Sequence, residues 1–199
     1  MNRSNFSLVI LFVLFGLAAT SCTKDGDDPK DNPTTVTDTT AVLVSYNPAG
    51  SFTYFSFEKG ATIIGTNVDQ TNEWDFGLRF VNFAVNGGSN RVGNGGAIIM
   101  DGLFNDITEA PETGYKVDSD TELAINDEWY TYNSTTHSFA PKAGKIFIFK
   151  TGKGLYAKME MLSAVPTDDD GTIVIPPSLP TKIKYTFRYT FQANGSRSF

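Results

Sequence analysis

The chain has 199 residues, a formal net charge of −6, and 13% aromatic against only 19% charged residues. It has room for one ordinary domain with a sizeable core, and its 18 glycines and 16 phenylalanines favour strands and turns over exposed helices. A chain of this sign has no electrostatic footprint for nucleic acid or anionic lipid, and a single cysteine excludes an internal disulfide.

Residues 1–21 carry Arg3 near the start, an apolar run from Leu8 to Ala19, then small residues before Cys22. This is the layout of a secretory signal peptide, and the run is short for a membrane span. Ala19-Thr20-Ser21-Cys22 fits a relaxed bacterial lipobox, with alanine where leucine is commoner, so Cys22 is expected to be acylated and to hold the protein on a membrane. Without residues 1–21 the balance is 15 basic to 22 acidic residues. The stretch after Cys22, TKDGDDPKDNPTTVTDTT, is acidic and almost free of apolar side chains, which predicts a flexible tether over residues 22–40. An acidic cluster so near a lipidated cysteine resembles the signal that sends some lipoproteins to the outer face of the outer membrane. Residues 41–199 are then the folded part, a single compact antiparallel all-β domain.

Within it, Ser51 to Phe57 and Ala61 to Gly65 suggest a hairpin around Lys59-Gly60. Trp74, Phe76, Leu78 and Phe80 alternate with Asp75, Gly77 and Arg79, predicting a strand followed by a turn or bulge near Val81 and Asn82. NGGSNRVGNGG, residues 86–96, must be irregular backbone; a simple hairpin loop is the plainer reading, a glycine-lined approach to a flat ligand the sharper one. Residues 118–130 could form a short helix capped by Ser119 or Asp120, weakened by Asn126 and Asp127. KIFIFK and LYAKMEML flank Thr151-Gly152-Lys153-Gly154 as a hairpin. The stripe Ile183, Tyr185, Phe187, Tyr189 and Phe191 predicts a long central strand.

Chemistry-bearing patterns are sparse. There is no G-x-S-x-G, and Ser134 and Ser138 lie too close in sequence to His137 to read as triad partners. One histidine and one cysteine cannot build a zinc site of the usual spacing. Asp168-Asp169-Asp170-Gly171 lacks the distal glutamate of an EF-hand and reads as a turn. No enzyme constellation emerges. A haem iron asks for less, one or two axial side chains beside an apolar slot. His137, in TYNSTTHSFAP, and Met100, at the end of the apolar run from Ala97, are the candidates; Met159 and Met161 share one face of LYAKMEML and read as core.

Several blocks in order resemble the HmuY-like haemophore lipoproteins: Trp74-Asp75, GNGGA, FNDITEAP, Tyr115 to Asp118, THSFAPKAGKIFIFKTGKGLYAKMEM and the closing YTFRYTFQANGSRSF. The resemblance implies a compact all-β domain on a surface lipid anchor of the outer membrane. Such a protein takes haem from host haemoproteins, holds it non-catalytically between two axial side chains on loops at one end, and passes it to an outer-membrane receptor. In that family the axial residues are paired histidines, or methionines in some members. A histidine pair within one subunit is excluded here, which leaves His137 with a methionine, for which Met100 is the spacing-based choice, a methionine pair, or a relative without haem ligation that binds another ligand or a partner protein.

Overall fold

The computed structural model describes residues 35–135, 138–175 and 177–199. The expected signal peptide and Cys22 lie outside them. The described residues form an antiparallel all-β domain with two main sheets, as the composition predicts.

The first sheet has five strands: β1 (Thr35–Ser45), β6 (Gly96–Asp101), β9 (Lys145–Lys150), β10 (Tyr156–Thr167) and β11 (Lys182–Gln192), in the order β1-β11-β10-β9-β6. The predicted stripe is thus central, and Ile183, Tyr185, Phe187, Tyr189 and Phe191 are all buried. The second sheet is built from β2 (Thr53–Ser56), β3 (Ala61–Ile63), β4 (Phe76–Arg79) and β5 (Asn82–Val85), in the order β3-β2-β4-β5. A separate hairpin joins β7 (Tyr130–Asn133) to β8 (Ser138–Pro141).

The two sheets meet through alternate side chains. Phe55, Phe76, Leu78 and Phe83 of the second sheet share one core with Phe147, Phe149, Phe187 and Tyr189 of the first. Ring centroids at 5.1 to 5.6 Å, edge-on in Phe55–Phe187 and Phe76–Phe187 and stacked in Phe76–Phe149, fill this interior. Met159 and Met161 are buried in it, as their spacing implies. The opposite face of the first sheet carries a second cluster, where Ile146 and Ile148 are covered by Phe104 and Ala110. Lys158 pins that cover: its ammonium donates to the carbonyls of Phe104 and Ile107 at 2.8 and 2.7 Å.

Four local expectations change. β1 begins at Thr35 rather than Ala41, because the Thr- and Val-rich end of the expected tether has strand propensity and hydroxyls to pair: Thr35 Oγ1 donates to Gln192 Oε1, and Thr37 and Thr190 join through their hydroxyls, each at 3.1 Å. Trp74 does not share the face of Phe76 and Leu78, since β4 starts only at Phe76; it packs with Val68 and Ala84 in a third cluster. The 118–130 stretch is no helix but irregular chain ending in a 3-10 turn, Asp127–Trp129. Asp118 ties it to β5 by accepting from Val85 N at 3.1 Å and closes it on itself by accepting from Ala124 N at 3.0 Å, an anchor that periodicity does not reveal. The glycine-rich segment, finally, is not a hairpin loop, because it connects β5 in one sheet to β6 in the other.

That crossover is held by a knot of buried polar groups. Asp75 accepts from Phe57 N at 2.7 Å and Gly152 N at 3.1 Å. Asn86 donates to the carbonyls of Thr71 and Trp74 and accepts from Gly93 N. The glycines are steric requirements: a Cβ on Gly87 would sit 1.8 Å from Gly95 O, and one on Gly88, at φ 99°, 1.8 Å from Asp118 O. Burial pushes the Asp75 carboxyl up from 3.8 to about 7, outweighing the two N–H donors that pull it down. The folded chain therefore holds a proton that the unfolded chain has released between those values, and this contribution to stability is present at acid pH and lost as pH rises towards 7. We expect Asp75→Asn to cost about 1–3 kcal/mol, because an amide can accept only one of the two N–H groups. Urea midpoints measured from pH 4 to 8 should also fall less steeply in the variant than in the parent; parallel profiles would remove Asp75 as their source.

Candidate functional site

The strand registers define two ends of the domain. Thr35, Gln192, Tyr156, Lys150 and Gly96 lie across one end, and Ser45, Lys182 and Thr167 across the other, with Lys145 and Asp101 on the same side. The β4–β5 turn reaches this second end, where Phe80 meets Tyr46, which follows β1. The β7–β8 hairpin docks there too. Its register sets Tyr132 opposite Phe139, so that Tyr130, Tyr132 and Phe139 share one face. Phe139 is buried against Phe80, Tyr130 and Tyr185.

Between these elements opens a recess of about 280 Å³ lined by Tyr46, Phe80, Val81, Tyr130, Tyr132 and Phe139. Five of the six lining residues are aromatic, three of them tyrosines. Phe80 has φ 50°, a left-handed conformation that is strained for a bulky side chain. It occupies the first position of the two-residue link between β4 and β5, where glycine is preferred. Two things hold it: edge-on contacts with Tyr46 and Phe139 at 5.4 and 5.7 Å, and the Tyr185 hydroxyl, which donates to Phe80 O at 2.6 Å. Burial raises the Tyr185 pKa far above the ordinary phenol value, so this donor keeps its proton throughout the accessible range. Tyr130 is raised as well, by desolvation and then by the nearby Asp127 carboxylate.

The two sequence-predicted ligands stand differently. Met100 lies one residue from the end of β6, at the same end of the domain, but its side chain packs with Phe104, Ile146 and Ile148 in the second cluster. Since Phe147 and Phe149 of β9 point into the main core while Ile146 and Ile148 point to the second cluster, Met100 is on the opposite face of the sheet from the recess. His137 lies outside the described residues, in sequence between β7 and β8. Among the described residues no three His, Cys, Asp or Glu side chains gather as a metal site. Sequence reasoning missed the recess itself. Tyr46, Phe80, Tyr130 and Phe139 belong to four separate segments, and only the alternation of Tyr130 and Tyr132 hinted at an aromatic face.

Fold and recess together define a two-sheet antiparallel domain with an aromatic pocket at one end. The sequence profile of the HmuY protein family matches residues 49–176, more than half of the chain, and the chain belongs to that family. No curated protein matches it. Among solved structures, the apo HmuY analogue of Tannerella forsythia matches over 82% of this chain and 100% of its own, with TM-score 0.55 and 17% identity, a likeness of fold. A Bacteroides vulgatus protein described as HmuY-like and haem-binding aligns over 75% of this chain and 90% of its own, at TM-score 0.44 and 11% identity. A Bacteroides fragilis protein described as a lipoprotein aligns over 75% and 89%, at 0.45 and 10%.

Tyr185→Phe should leave the Phe80 carbonyl without its donor and release the strained turn. We expect a loss of about 1–2 kcal/mol in chemical unfolding, with an altered near-ultraviolet circular dichroism signal from the recess; an unchanged midpoint would detach Tyr185 from Phe80.

Proposed function

We propose that this protein is a cell-surface lipoprotein that binds haem without catalysis, for haem and iron acquisition. The observation that carries this reading is the aromatic recess, which sits at the end of the domain remote from Thr35, where β1 begins. On a chain anchored through acylated Cys22 at the outer membrane, such a recess would serve to take haem from host haemoproteins and pass it to an outer-membrane receptor. Family membership and the aromatic walls both support a flat, apolar ligand. When bound, haem supplies an iron that takes one or two axial side chains. In this chain His137 is the first candidate, being carried by the segment that follows β7 and its tyrosines. Met100 is the second, but it lies on the opposite face of the five-stranded sheet and would serve only an iron held outside the recess; its packing beside Phe104 and Ile146 favours the other reading, a family member that holds a different ligand and ligates no iron.

Haemin titration of the mature protein, followed through the Soret band in oxidised and reduced forms, tests this. Saturable 1:1 binding is expected, with His137→Ala weakening it about tenfold or more, on the scale of one lost axial bond or charge-assisted contact. Met100→Ala should move the reduced spectrum if the thioether ligates; if it lowers stability by about 2–3 kcal/mol with no spectral change, Met100 is a packing residue. Absence of a Soret shift in the parent protein would support the reading without haem.

A further inference from the structure

A second, larger hollow lies on the flank of the domain, apart from the aromatic recess. It has a volume of about 800 Å³, within the range of small-molecule sites, and opens between Ala41–Leu43 of β1 and the segments around β2 and β3. Phe52, Tyr54, Ile63 and Leu43 supply apolar wall beside polar lining from Thr53, Thr62 and Asn67. Gly77 permits this surface, because a Cβ there would come within 2.9 Å of the Tyr54 ring and 3.3 Å of the Phe52 ring.

Among the described residues that line this hollow, Arg79 is the one cation. Its guanidinium lies over the Phe52 ring, 4.4 Å from the centroid. Among the described residues it makes no ion pair and no hydrogen bond, and its Nε is a buried donor without a partner. Three other buried polar atoms lack partners, on Trp74, Trp129 and Thr167, but those side chains are at most 1% exposed and sealed in the fold. Arg79 alone combines an orphaned donor with an open groove. Asp69, the only carboxylate among the described lining residues, accepts from the Gln70 amide at 2.9 Å. With Nε buried, the two terminal amino groups are the fork a guanidinium in this groove can offer a carboxylate, and a planar cation already stacked on an aromatic ring loses little freedom on binding.

We propose that this groove is a second binding site, for a small amphipathic carboxylate whose acid group sits on Arg79 and whose apolar body lies against Phe52, Leu43 and Ile63. Among the described residues the lining contains no histidine, methionine or cysteine, so the site proposed here is distinct in chemistry from haem ligation.

The test is calorimetric titration of the mature full-length domain with decanoate, against decanamide as the uncharged analogue and acetate as the headgroup alone. Decanoate should bind 1:1, decanamide and acetate at least about tenfold more weakly. Arg79→Gln should weaken decanoate about tenfold or more, and Arg79→Lys should restore only part, because an ammonium lacks the fork. Haemin uptake measured in the same variants should be unchanged. If Arg79→Gln fails to fold, Ile64→Ser serves instead: Ile64 lines the groove yet is 93% exposed, so its loss should weaken decanoate severalfold without disturbing the core. No saturable decanoate binding, equal affinity for decanamide, or an affinity unchanged in Arg79→Gln or Ile64→Ser would overturn the proposal. So would displacement of decanoate by haemin, which would place both in one site, and binding of a short apolar peptide with a free C-terminus where decanoate does not bind.

Discussion

Everything in this fold depends on how the chain passes from one sheet to the other between β5 and β6, and that passage is governed by buried polar groups. Two sheets packed face to face gain stability from apolar area, but a crossover at their rim must bring backbone N–H and C=O groups out of water with no ladder to receive them. Asp75, Asn86 and Asp118 supply the missing partners. Asp75 binds Phe57 N beside β2 and Gly152 N in the β9–β10 turn, and so joins both sheets through one carboxyl. Asn86 closes on Thr71, Trp74 and Gly93, and Asp118 on Val85 and Ala124. The glycines between them have a reason of their own: backbone must approach backbone, as at Gly87 against Gly95, more closely than any Cβ permits.

With the crossover fixed, the aromatic interior follows. The sheets are short on the β2–β5 side, four strands of three or four residues each, and cannot hold together by ladder hydrogen bonds alone. They are held by area. Phe55, Phe57, Phe76 and Phe83 reach across to Phe149, Phe187 and Tyr189, and large rings with two side-chain torsions bury much surface for little lost freedom. The outer face of the five-stranded sheet is managed differently. There the chain from Leu103 onwards folds back as a cover, and Lys158 spends its ammonium on the carbonyls of that cover while lying 4.6 Å from the Phe104 ring centroid. Desolvation, and then the nearby Arg188 charge, lower the Lys158 pKa, as expected for a cation used as an internal clasp.

The strands were legible where period two was undisturbed, and this explains both the successes and the failures of reading from sequence. β11 shows its buried stripe from Ile183 to Phe191, whereas β9, buried on both faces, reads as the continuous apolar run of KIFIFK. Trp74 was misplaced because the alternation was extended past the true start of β4, across Asp75, which is buried for its hydrogen bonds and not for hydrophobicity. The helix expected after Asp118 failed for a related reason: the residues carry moderate helix propensity, but Asp118 spends its carboxylate on Val85, which is 33 residues away. The aromatic recess was illegible because Tyr46, Phe80, Tyr130 and Phe139 meet only once both sheets and the hairpin are in place. Arg79 was visible merely as the polar partner of an alternating strand; nothing in its neighbours announces that its guanidinium would find a phenylalanine ring and no carboxylate.

The two ends of the domain consequently have opposite physical characters. At the end where β1 begins, the crossover and the β9–β10 turn satisfy their buried groups through Asp75 and Asn86, and the geometry admits almost no substitution. At the other end, strain and aromatic surface remain: Phe80 is held left-handed by a single hydroxyl and two rings, and the recess beside it is open. Strained backbone persists only where its surroundings over-determine it, and such positions concentrate where a protein meets its ligands. A domain whose near end is locked by a polar knot can leave its far end aromatic, open and strained without losing its fold, since the energy that secures the sheets is already in place behind it. This division of labour is why the far end, and the flank where Arg79 stands without a partner, are where binding chemistry should be sought.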